Sequence, residues 1–269
     1  MASIRRRTWK ACSTMSALSA PAPLDPRASA IFLDLDGTLI GFGDAPMAVD
    51  VPAALLELLA ALATLCDGAL AVVSGRRMAT LDALLAPLAL PLAGLHGLER
   101  RAADGTVHCL VEAGDTLLAE VREQFEAIAR RLPGLLVEDK GAALALHYRA
   151  APHRAGEVEA LVAGLERSLP ARLVMQRGHM VVEVRAAGAD KGSAIAAFMD
   201  EPPFRGRHAV FVGDDRTDEH GFAVVNARNG LSVKVGDGDT VARTRLAGPT
   251  AVRHWLGEAV ARHQTGVNE

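Results

Sequence analysis

Two short apolar runs in this chain each end in a cluster of aspartates, and this pattern constrains the fold more than any other feature. The first run, residues 30–35, contains Asp34 and leads into Asp36. The second run, residues 209–212, leads into the acidic segment 214–219. Short apolar runs of this kind are typical of buried strands. Ligands of open α/β sheets bind at the carboxyl ends of the strands, so we expect the aspartates to lie in the functional site.

The predicted elements alternate between strand and helix near both ends of the chain and form hairpins in the middle. The predicted strands are 30–35, 69–73, 92–98, 107–111, 135–140, 143–149, 173–176, 180–185, 209–212 and 231–235. The predicted helices are 52–66, 78–85, 115–132, 156–169, 191–199, 218–225 and 250–264. The alternation predicts a parallel sheet covered by helices. Hairpins with two helices are typical of a separate module with an antiparallel sheet.

The predicted fold class is therefore α/β, with one module inserted into a parallel-sheet core. The core comprises residues 28–99 and 187–269, and the inserted α+β cap domain comprises residues 100–186. Residues 1–27 are predicted to form a disordered tail, because Ser and Thr interrupt them and they contain no sustained apolar stretch.

Composition and charge exclude several classes of partner. The chain has 29 Lys and Arg residues against 32 Asp and Glu, a formal charge of −3, whereas nucleic-acid-binding proteins usually carry a basic excess. No apolar run approaches the roughly 20 residues that a membrane helix needs. The three cysteines are widely spaced and suggest no disulfide framework, which favours a reducing compartment. We therefore expect a cytoplasmic protein with no nucleic-acid partner and no membrane segment.

The motif around Asp34 and Asp36 suits metal-assisted phosphoryl transfer. Strand alternation puts both side chains on one side of the strand. Carboxylates this close repel each other unless a proton or a cation lies between them, and Mg²⁺ prefers oxygen ligands. A carboxylate beside Mg²⁺ can act as a nucleophile, and its neighbour can donate and later accept a proton. The alternative interpretation is a strand-end turn that uses the Asp-Gly pair only for its geometry.

Two further motifs offer groups that bind phosphate. Ser74, Gly75 and Arg76 follow the second strand, where a hydroxyl and backbone N–H groups before a helix can hold a phosphate. A helix N-cap explains Ser74 equally well. Lys191 stands at the start of a predicted helix, where it can neutralise both a phosphate and a nucleophile. On its own it can equally be a solvated surface lysine.

The acidic segment 214–219 carries four carboxylates within six positions. Such density at a strand end requires a cation to balance it. Alternatively, Thr217 caps the following helix, with Asp218 and Glu219 in its first turn. Both interpretations can hold together.

In this order the four motifs resemble those of the haloacid dehalogenase superfamily of phosphotransferases. The resemblance implies a Rossmann-like parallel-sheet core with Asp34 as the nucleophile and Asp36 as the general acid and base. It implies that Ser74 and Lys191 bind the phosphate as catalytic groups. It also implies a Mg²⁺ ion held by Asp34, the backbone carbonyl of Asp36, and Asp214.

Strands of the inserted module carry charged side chains on one face. Alternation puts Glu138 and Lys140 on one face of strand 135–140, and Glu183 and Arg185 on one face of strand 180–185. Carboxylates accept hydrogen bonds from sugar hydroxyls and ammonium groups donate to them, so this face suits a polyhydroxylated ligand. A solvated sheet face is the alternative interpretation.

A narrower resemblance, to the trehalose-6-phosphate phosphatases, rests on five segments. The segments are 94–99, 137–141, 146–149, 183–185 and 213–219. The substrate-binding residues that the resemblance implies are Ser74, Gly75, Arg76, His96, Glu138, Lys140, Glu183, Asp215 and Asp218. Glu138, Lys140 and Glu183 would hold the glucose ring distal to the phosphate. The residues that would lie near the mouth of the site are His96, Asp215 and Asp218.

The predicted function is the Mg²⁺-dependent hydrolysis of trehalose 6-phosphate through an aspartyl-phosphate intermediate. The expected partner is this small sugar phosphate, and the expected state is a monomer or a weak dimer. One alternative is a phosphatase or phosphomutase that acts on another sugar phosphate. Another is a catalytically inactive protein that senses trehalose phosphate or serves as a partner subunit. Such an inactive protein would lack the nucleophile or the lysine, yet Asp34 and Lys191 are both present.

Overall fold

The computed structural model describes residues 18–41, 51–110, 116–178 and 180–265. The strands are β1 Ser29–Leu33, β2 Leu70–Val73, β3 Leu92–Gly94, β4 Glu99–Arg101, β5 Val107–Cys109, β6 Leu136–Asp139, β7 Ala143–His147, β8 Leu173–Gly178, β9 Val181–Ala186, β10 His208–Gly213, β11 Leu231–Val235 and β12 Thr244–Leu246. The α-helices are α1 Ala53–Leu65, α2 Met78–Leu85, α3 Ala119–Arg131, α4 Ala155–Ser168, α5 Lys191–Met199, α6 Asp218–Ala227 and α7 Pro249–Thr265.

The larger sheet has the strand order β12-β11-β10-β1-β2-β3-β4-β5. Neighbours from β12 to β3 are parallel, and β4 and β5 add an antiparallel edge. All five residues of β1 are buried, as expected for a central strand of a sheet with helices on both faces. The predicted α/β class with a parallel-sheet core is confirmed.

The smaller sheet has the order β6-β7-β9-β8, and all of its neighbours are antiparallel. Its apolar face, which includes Leu144 and Val184, forms one buried cluster with Phe125 of α3 and Val158 of α4. Glu183 pairs with Ala145 one position along the ladder, so it belongs to the opposite face. The two predicted hairpins are confirmed.

The observed strands differ from the predicted ones where the backbone leaves the extended conformation. The strand predicted over 92–98 ends at Gly94, because Leu95 and His96 adopt positive φ angles of 49° and 57° and enter a short 3-10 turn. β4 and β12 were not predicted, since three-residue strands carry too little periodicity. The helix predicted from residue 115 begins at Ala119, after a 3-10 turn.

Part of the predicted insertion belongs to the larger sheet. Residues 99–101 and 107–109 form β4 and β5 at the edge of that sheet, although 100–109 was assigned to the cap. The smaller sheet and its two helices span residues 119–186. The division into a core and a cap that acts as a separate domain stays a prediction.

Part of the N-terminal segment belongs to the fold. The prediction of a disordered tail is wrong for residues 18–27, which lie against the core. The Ser19 carbonyl accepts from the Arg245 backbone N–H at 3.0 Å, and the Trp255 indole donates to the Ala22 carbonyl at 3.0 Å. Leu24 is buried in the main apolar cluster. Residues 1–17 lie outside the described residues.

Among the described residues, no helix is both long enough and apolar enough to cross a bilayer.

Candidate active site

An acidic cluster lies where β1 and β10 end. The two strands are parallel neighbours with Leu33 opposite Val212, and the Asp34 backbone N–H donates to the Val212 carbonyl at 3.0 Å. This register brings Asp34 beside Asp214, and the first turn of α6 adds Asp218. Carboxylate oxygens of these three aspartates lie within 4.8 Å of one another. A donor set made only of oxygen suits a hard divalent cation.

Lys191 bridges two of these carboxylates. Its ammonium group donates to Asp34 Oδ1 at 2.7 Å and to Asp218 Oδ1 at 2.6 Å, and all three residues are buried. The start of α5 is fixed by a reciprocal capping box between Asp190 and Ser193. The capping box holds the helix end in the position from which Lys191 reaches the cluster.

Burial and mutual repulsion set the electrostatics of the cluster. Burial raises the pKa of Asp34 well above its ordinary value; Lys191 lowers it, and Asp218 and Asp214 raise it further. Burial also raises the pKa of Asp214, and Asp218 adds to the shift. Burial alone would lower the pKa of Lys191, but Asp218 and Asp34 outweigh it and the net shift is upward. The lysine therefore stays charged, and the upward shifts of Asp34 and Asp214 reflect burial and negative charge that Lys191 does not fully offset.

Two hydrogen bonds hold Asp214, and a glycine lies against its carboxylate. The Thr38 hydroxyl donates to Asp214 Oδ1 at 3.2 Å, and the Lys234 ammonium group donates to the Asp214 backbone carbonyl. Gly37 has a φ of 81°, and a Cβ there would overlap the Asp214 carboxylate. Glycine at position 37 therefore permits the close approach of the two loops.

Asp36 does not join this cluster through its side chain. Its two carboxylate oxygens accept from Arg76 Nε and Arg76 Nη2, both at 2.6 Å. Both side chains are partly exposed, at 27% for Asp36 and 18% for Arg76. The carboxylate is thus held by a bidentate ion pair. The predicted contribution of its backbone carbonyl to a metal stays a prediction.

The segment 74–76 lines the same edge of the sheet. The Ser74 side chain is buried, and its Oγ accepts from the Arg76 backbone N–H at 3.1 Å. The first N–H of α2, from Met78, is satisfied by Glu99 Oε2 at 2.8 Å. Because Ser74 lies four residues before this helix and makes no bond to it, the helix-cap interpretation is wrong.

Three charged residues of the smaller sheet lie close to the acidic end of the core. Lys140 donates to Glu183 Oε2 at 2.6 Å, and Glu138 Oε2 lies 2.8 Å from the His147 ring nitrogen Nε2. The hydrogen bond from His147 lowers the pKa of Glu138; partial burial opposes the shift, and Lys140 adds to it. Glu138 therefore stays ionised at neutral pH and can accept hydrogen bonds.

His96 connects the two sheets. Its Nε2 lies 3.7 Å from Glu183 Oε1, and a Cβ on Gly75 would lie 2.7 Å from the imidazole ring. Burial lowers the pKa of His96 well below its ordinary value, and Lys191 and Arg185 lower it further. Among the described residues, His96 Nδ1 and Glu183 Oε1 have no hydrogen-bond partner although both are buried. Such atoms are rare in folded proteins, so they mark a place suited to a polar ligand group.

Most of the chain matches a known family, from the first aspartate motif onward. The family model described as Trehalose-phosphatase matches residues 32–249. The chain belongs to the trehalose-phosphatase family. The resemblance drawn from the motifs is therefore confirmed, and so is membership of a family of phosphatases.

Individual relatives support the assignment to the trehalose-phosphatase family. The chain is 48% identical over 225 residues to the trehalose-6-phosphate phosphatase of Escherichia coli, and the match covers 84% of each protein. It is 47% identical over 208 residues to a probable trehalose-phosphate phosphatase of Sinorhizobium fredii, and the match covers 77% of each. The C-terminal domain of Candida albicans trehalose-6-phosphate phosphatase shares the fold, with a TM-score of 0.79, 23% identity, and coverage of 91% of this chain and 99% of that one.

Within this trehalose-phosphatase site, two residues predicted near the mouth differ in depth. Asp215 is exposed, and its Oδ1 accepts from the Arg216 backbone N–H at 2.7 Å. Asp218 is fully buried within the acidic cluster, and its predicted place near the mouth stays a prediction. The Asp215 backbone N–H donates to Asp218 Oδ2 at 2.8 Å, and this bond folds the start of α6 back into the acidic cluster.

Sequence analysis missed two polar residues of the site. Thr38 is fully buried and donates to Asp214, although it lies only two residues after Asp36. Lys234 is a charged residue inside the buried strand β11. A lysine within an otherwise apolar run was the available signal, because charged groups are rarely buried without a partner.

Proposed function

We propose that this protein hydrolyses trehalose 6-phosphate to trehalose and inorganic phosphate. The observation that carries the proposal is the approach of Glu183 in the smaller sheet to His96 at the strand-end cluster, at 3.7 Å. The carboxylates that would bind the sugar would then lie beside the centre that would transfer the phosphoryl group. The names of the relatives point to the same substrate.

In the proposed first step, a carboxylate oxygen of Asp34 attacks phosphorus and the bond from phosphorus to the sugar 6-oxygen breaks. Asp36 gives its proton to that oxygen, and trehalose leaves. Lys191 is already within 2.7 Å of Asp34, where its charge opposes the negative charge that gathers on the phosphoryl oxygens. Ser74 supplies a buried hydroxyl to the same phosphate.

In the proposed second step, water attacks the phosphorus of the aspartyl-phosphate. Asp36 takes the proton from the water, the bond from phosphorus to the Asp34 oxygen breaks, and phosphate leaves. Each carboxylate thereby returns to its starting state. The Arg76 guanidinium, now bonded to both Asp36 oxygens, must release one of them for either transfer.

We propose Mg²⁺ as the cation of this centre. Asp34, Asp214 and Asp218 offer only oxygen, and Lys191 bridges Asp34 and Asp218 but not Asp214 among the described contacts. Burial and neighbouring aspartates raise the pKa of Asp34 and of Asp214. A bound divalent cation would offset this buried negative charge. Bound Mg²⁺ would supply Lewis-acid stabilisation of the transferred phosphoryl group.

A panel of sugar phosphates tests the substrate. Release of phosphate from trehalose 6-phosphate is expected to exceed that from glucose 6-phosphate and mannose 6-phosphate, because only the disaccharide reaches the second sheet. Treatment with a chelator is expected to remove the activity, and added Mg²⁺ to restore it. Equal turnover of all three would overturn the trehalose assignment. Phosphate exchange between two positions of one sugar, without release, would instead identify a mutase.

A Glu138→Ala variant tests whether the smaller sheet recognises the sugar. Hydrogen bonds to charged groups are worth about 1.5–3 kcal/mol, so kcat/KM for trehalose 6-phosphate is expected to fall roughly 10- to 100-fold. Turnover of p-nitrophenyl phosphate, which has no second ring to hold, is expected to change little. Glu157→Ala removes a carboxylate from α4 that, among the described residues, forms an ion pair with Arg154, and it serves as the matched control. Equal losses on both substrates would contradict sugar recognition by Glu138.

The cytoplasmic location and the monomeric or weakly dimeric state remain predictions. Size-exclusion chromatography with light scattering tests the second of them directly.

A further inference from the structure

A buried lysine in β11 has no role in the proposed chemistry. Lys234 is 5% exposed, and the parallel pairing of β10 and β11 puts it opposite Gly213. Gly213 is the last residue of β10, and Asp214 follows it directly. Lys234 therefore lies beside the turn that carries one carboxylate of the acidic cluster.

The ammonium group of Lys234 donates to the backbone carbonyl of Asp214. Among the ion pairs formed by the described residues, none includes Lys234. Burying an ammonium group is costly unless it is paired or hydrogen-bonded. A neutral side chain would fill this strand position at a lower free-energy cost, so packing alone does not explain a lysine here.

We infer that Lys234 is a positioning residue that holds the Asp214 turn in its metal-binding arrangement. The inference rests on the proposed Mg²⁺ site. Thr38 holds the Asp214 carboxylate at 3.2 Å, while Lys234 holds the backbone of the same residue from the neighbouring strand. Together they fix both the direction of the carboxylate and the place of the chain that bears it. Groups that orient a metal ligand in this way commonly change metal affinity when they are removed.

A second role for Lys234, simple charge balance, predicts the opposite effect. If its positive charge only offsets the aspartates, removing it strengthens the attraction of the cluster for a cation. If it positions Asp214, removing it weakens cation binding. The sign of the change in Mg²⁺ affinity therefore distinguishes the two roles.

Calorimetric titration of Mg²⁺ into the substrate-free protein tests the inference. For Lys234→Met, which keeps the length but not the donor, the dissociation constant is expected to rise about tenfold or more. Lys234→Arg keeps a charged donor and is expected to bind Mg²⁺ close to the wild-type value. With saturating Mg²⁺, KM for trehalose 6-phosphate is expected to stay near the wild-type value. If Lys234→Met does not fold, as thermal melting reports, Lys234→Leu, which likewise has no donor, carries the same expectation.

Arg216→Met is the matched control, because it removes an exposed positive charge two residues from Asp214 without breaking the carbonyl bond. It is expected to leave Mg²⁺ binding unchanged or slightly tighter. Unchanged or tighter binding in Lys234→Met overturns the positioning role. A wild-type protein that binds no Mg²⁺ overturns the proposed metal site and this inference with it. Wild-type binding with an unaffected Lys234→Met variant overturns this inference alone.

Discussion

Asp34→Asn is expected to abolish turnover while leaving the protein folded. An amide is a far poorer nucleophile than a carboxylate, and loss of a nucleophile typically lowers kcat by at least about 10⁴-fold. The loss should be the same for trehalose 6-phosphate and p-nitrophenyl phosphate, because both transfer the phosphoryl group to the same oxygen. Steady-state phosphate release on both substrates measures it.

The thermal stability of Asp34→Asn, unlike its activity, is not expected to fall. Burial raises the pKa of Asp34 above its unfolded value, so the stability that this group contributes is present at low pH and is lost as pH rises through the folded pKa. A neutral amide at this position avoids the free-energy cost of burying a charged carboxylate. Lys191 keeps its bond to Asp218 at 2.6 Å. The melting temperature should therefore stay level or rise.

Asp200→Asn, at the exposed end of α5, is the matched control for this substitution. It is expected to retain wild-type turnover. If Asp34→Asn keeps more than a small fraction of the activity, Asp34 is not the nucleophile. If it loses activity together with the fold, the melting curve reveals it.

The strand-end aspartates were predictable because their place follows from the backbone alone. A buried run that ends in carboxylates must present them at the carboxyl edge of a parallel sheet, and Asp34 and Asp214 meet there. Lys191 was predictable only through its motif. What brings it to Asp34, the reciprocal capping box at the start of α5, involves its neighbours rather than the lysine itself.

Contacts between side chains from distant segments were not predictable. Nothing in the spacing of Asp36 and Arg76 indicates that they form a bidentate pair, because that pairing depends on the tertiary packing of two strand ends. The depth of Asp218 depends on hydrogen bonds from the Asp215 backbone and from Lys191, which lie in different elements. The packing of residues 18–27 escaped prediction for a related reason, since a short irregular segment has no periodicity to read.

Asp36→Asn is expected to separate the two steps of the reaction. General acid catalysis is worth about 10²- to 10⁴-fold, and trehalose 6-phosphate should lose that much in kcat because its alkoxide leaving group needs a proton. The nitrophenolate of p-nitrophenyl phosphate leaves without one, so the first step on this substrate should survive. The second step still lacks its base. The variant should therefore release a burst of about one nitrophenolate per protein molecule and then slow.

The phosphorylated intermediate should accumulate on Asp34 during that burst, where intact-mass measurement detects it. Asp82→Asn is the matched control, because Asp82 forms a comparable bidentate pair with Arg101 at 2.7 and 3.0 Å outside the acidic cluster. It should show neither the burst nor the loss on trehalose 6-phosphate. Equal slowing of both substrates with no burst would show that Asp36 acts before phosphoryl transfer, for example by holding Arg76, rather than as the proton carrier. The leaving group thus decides between a carboxylate that moves protons and one that only positions a cation.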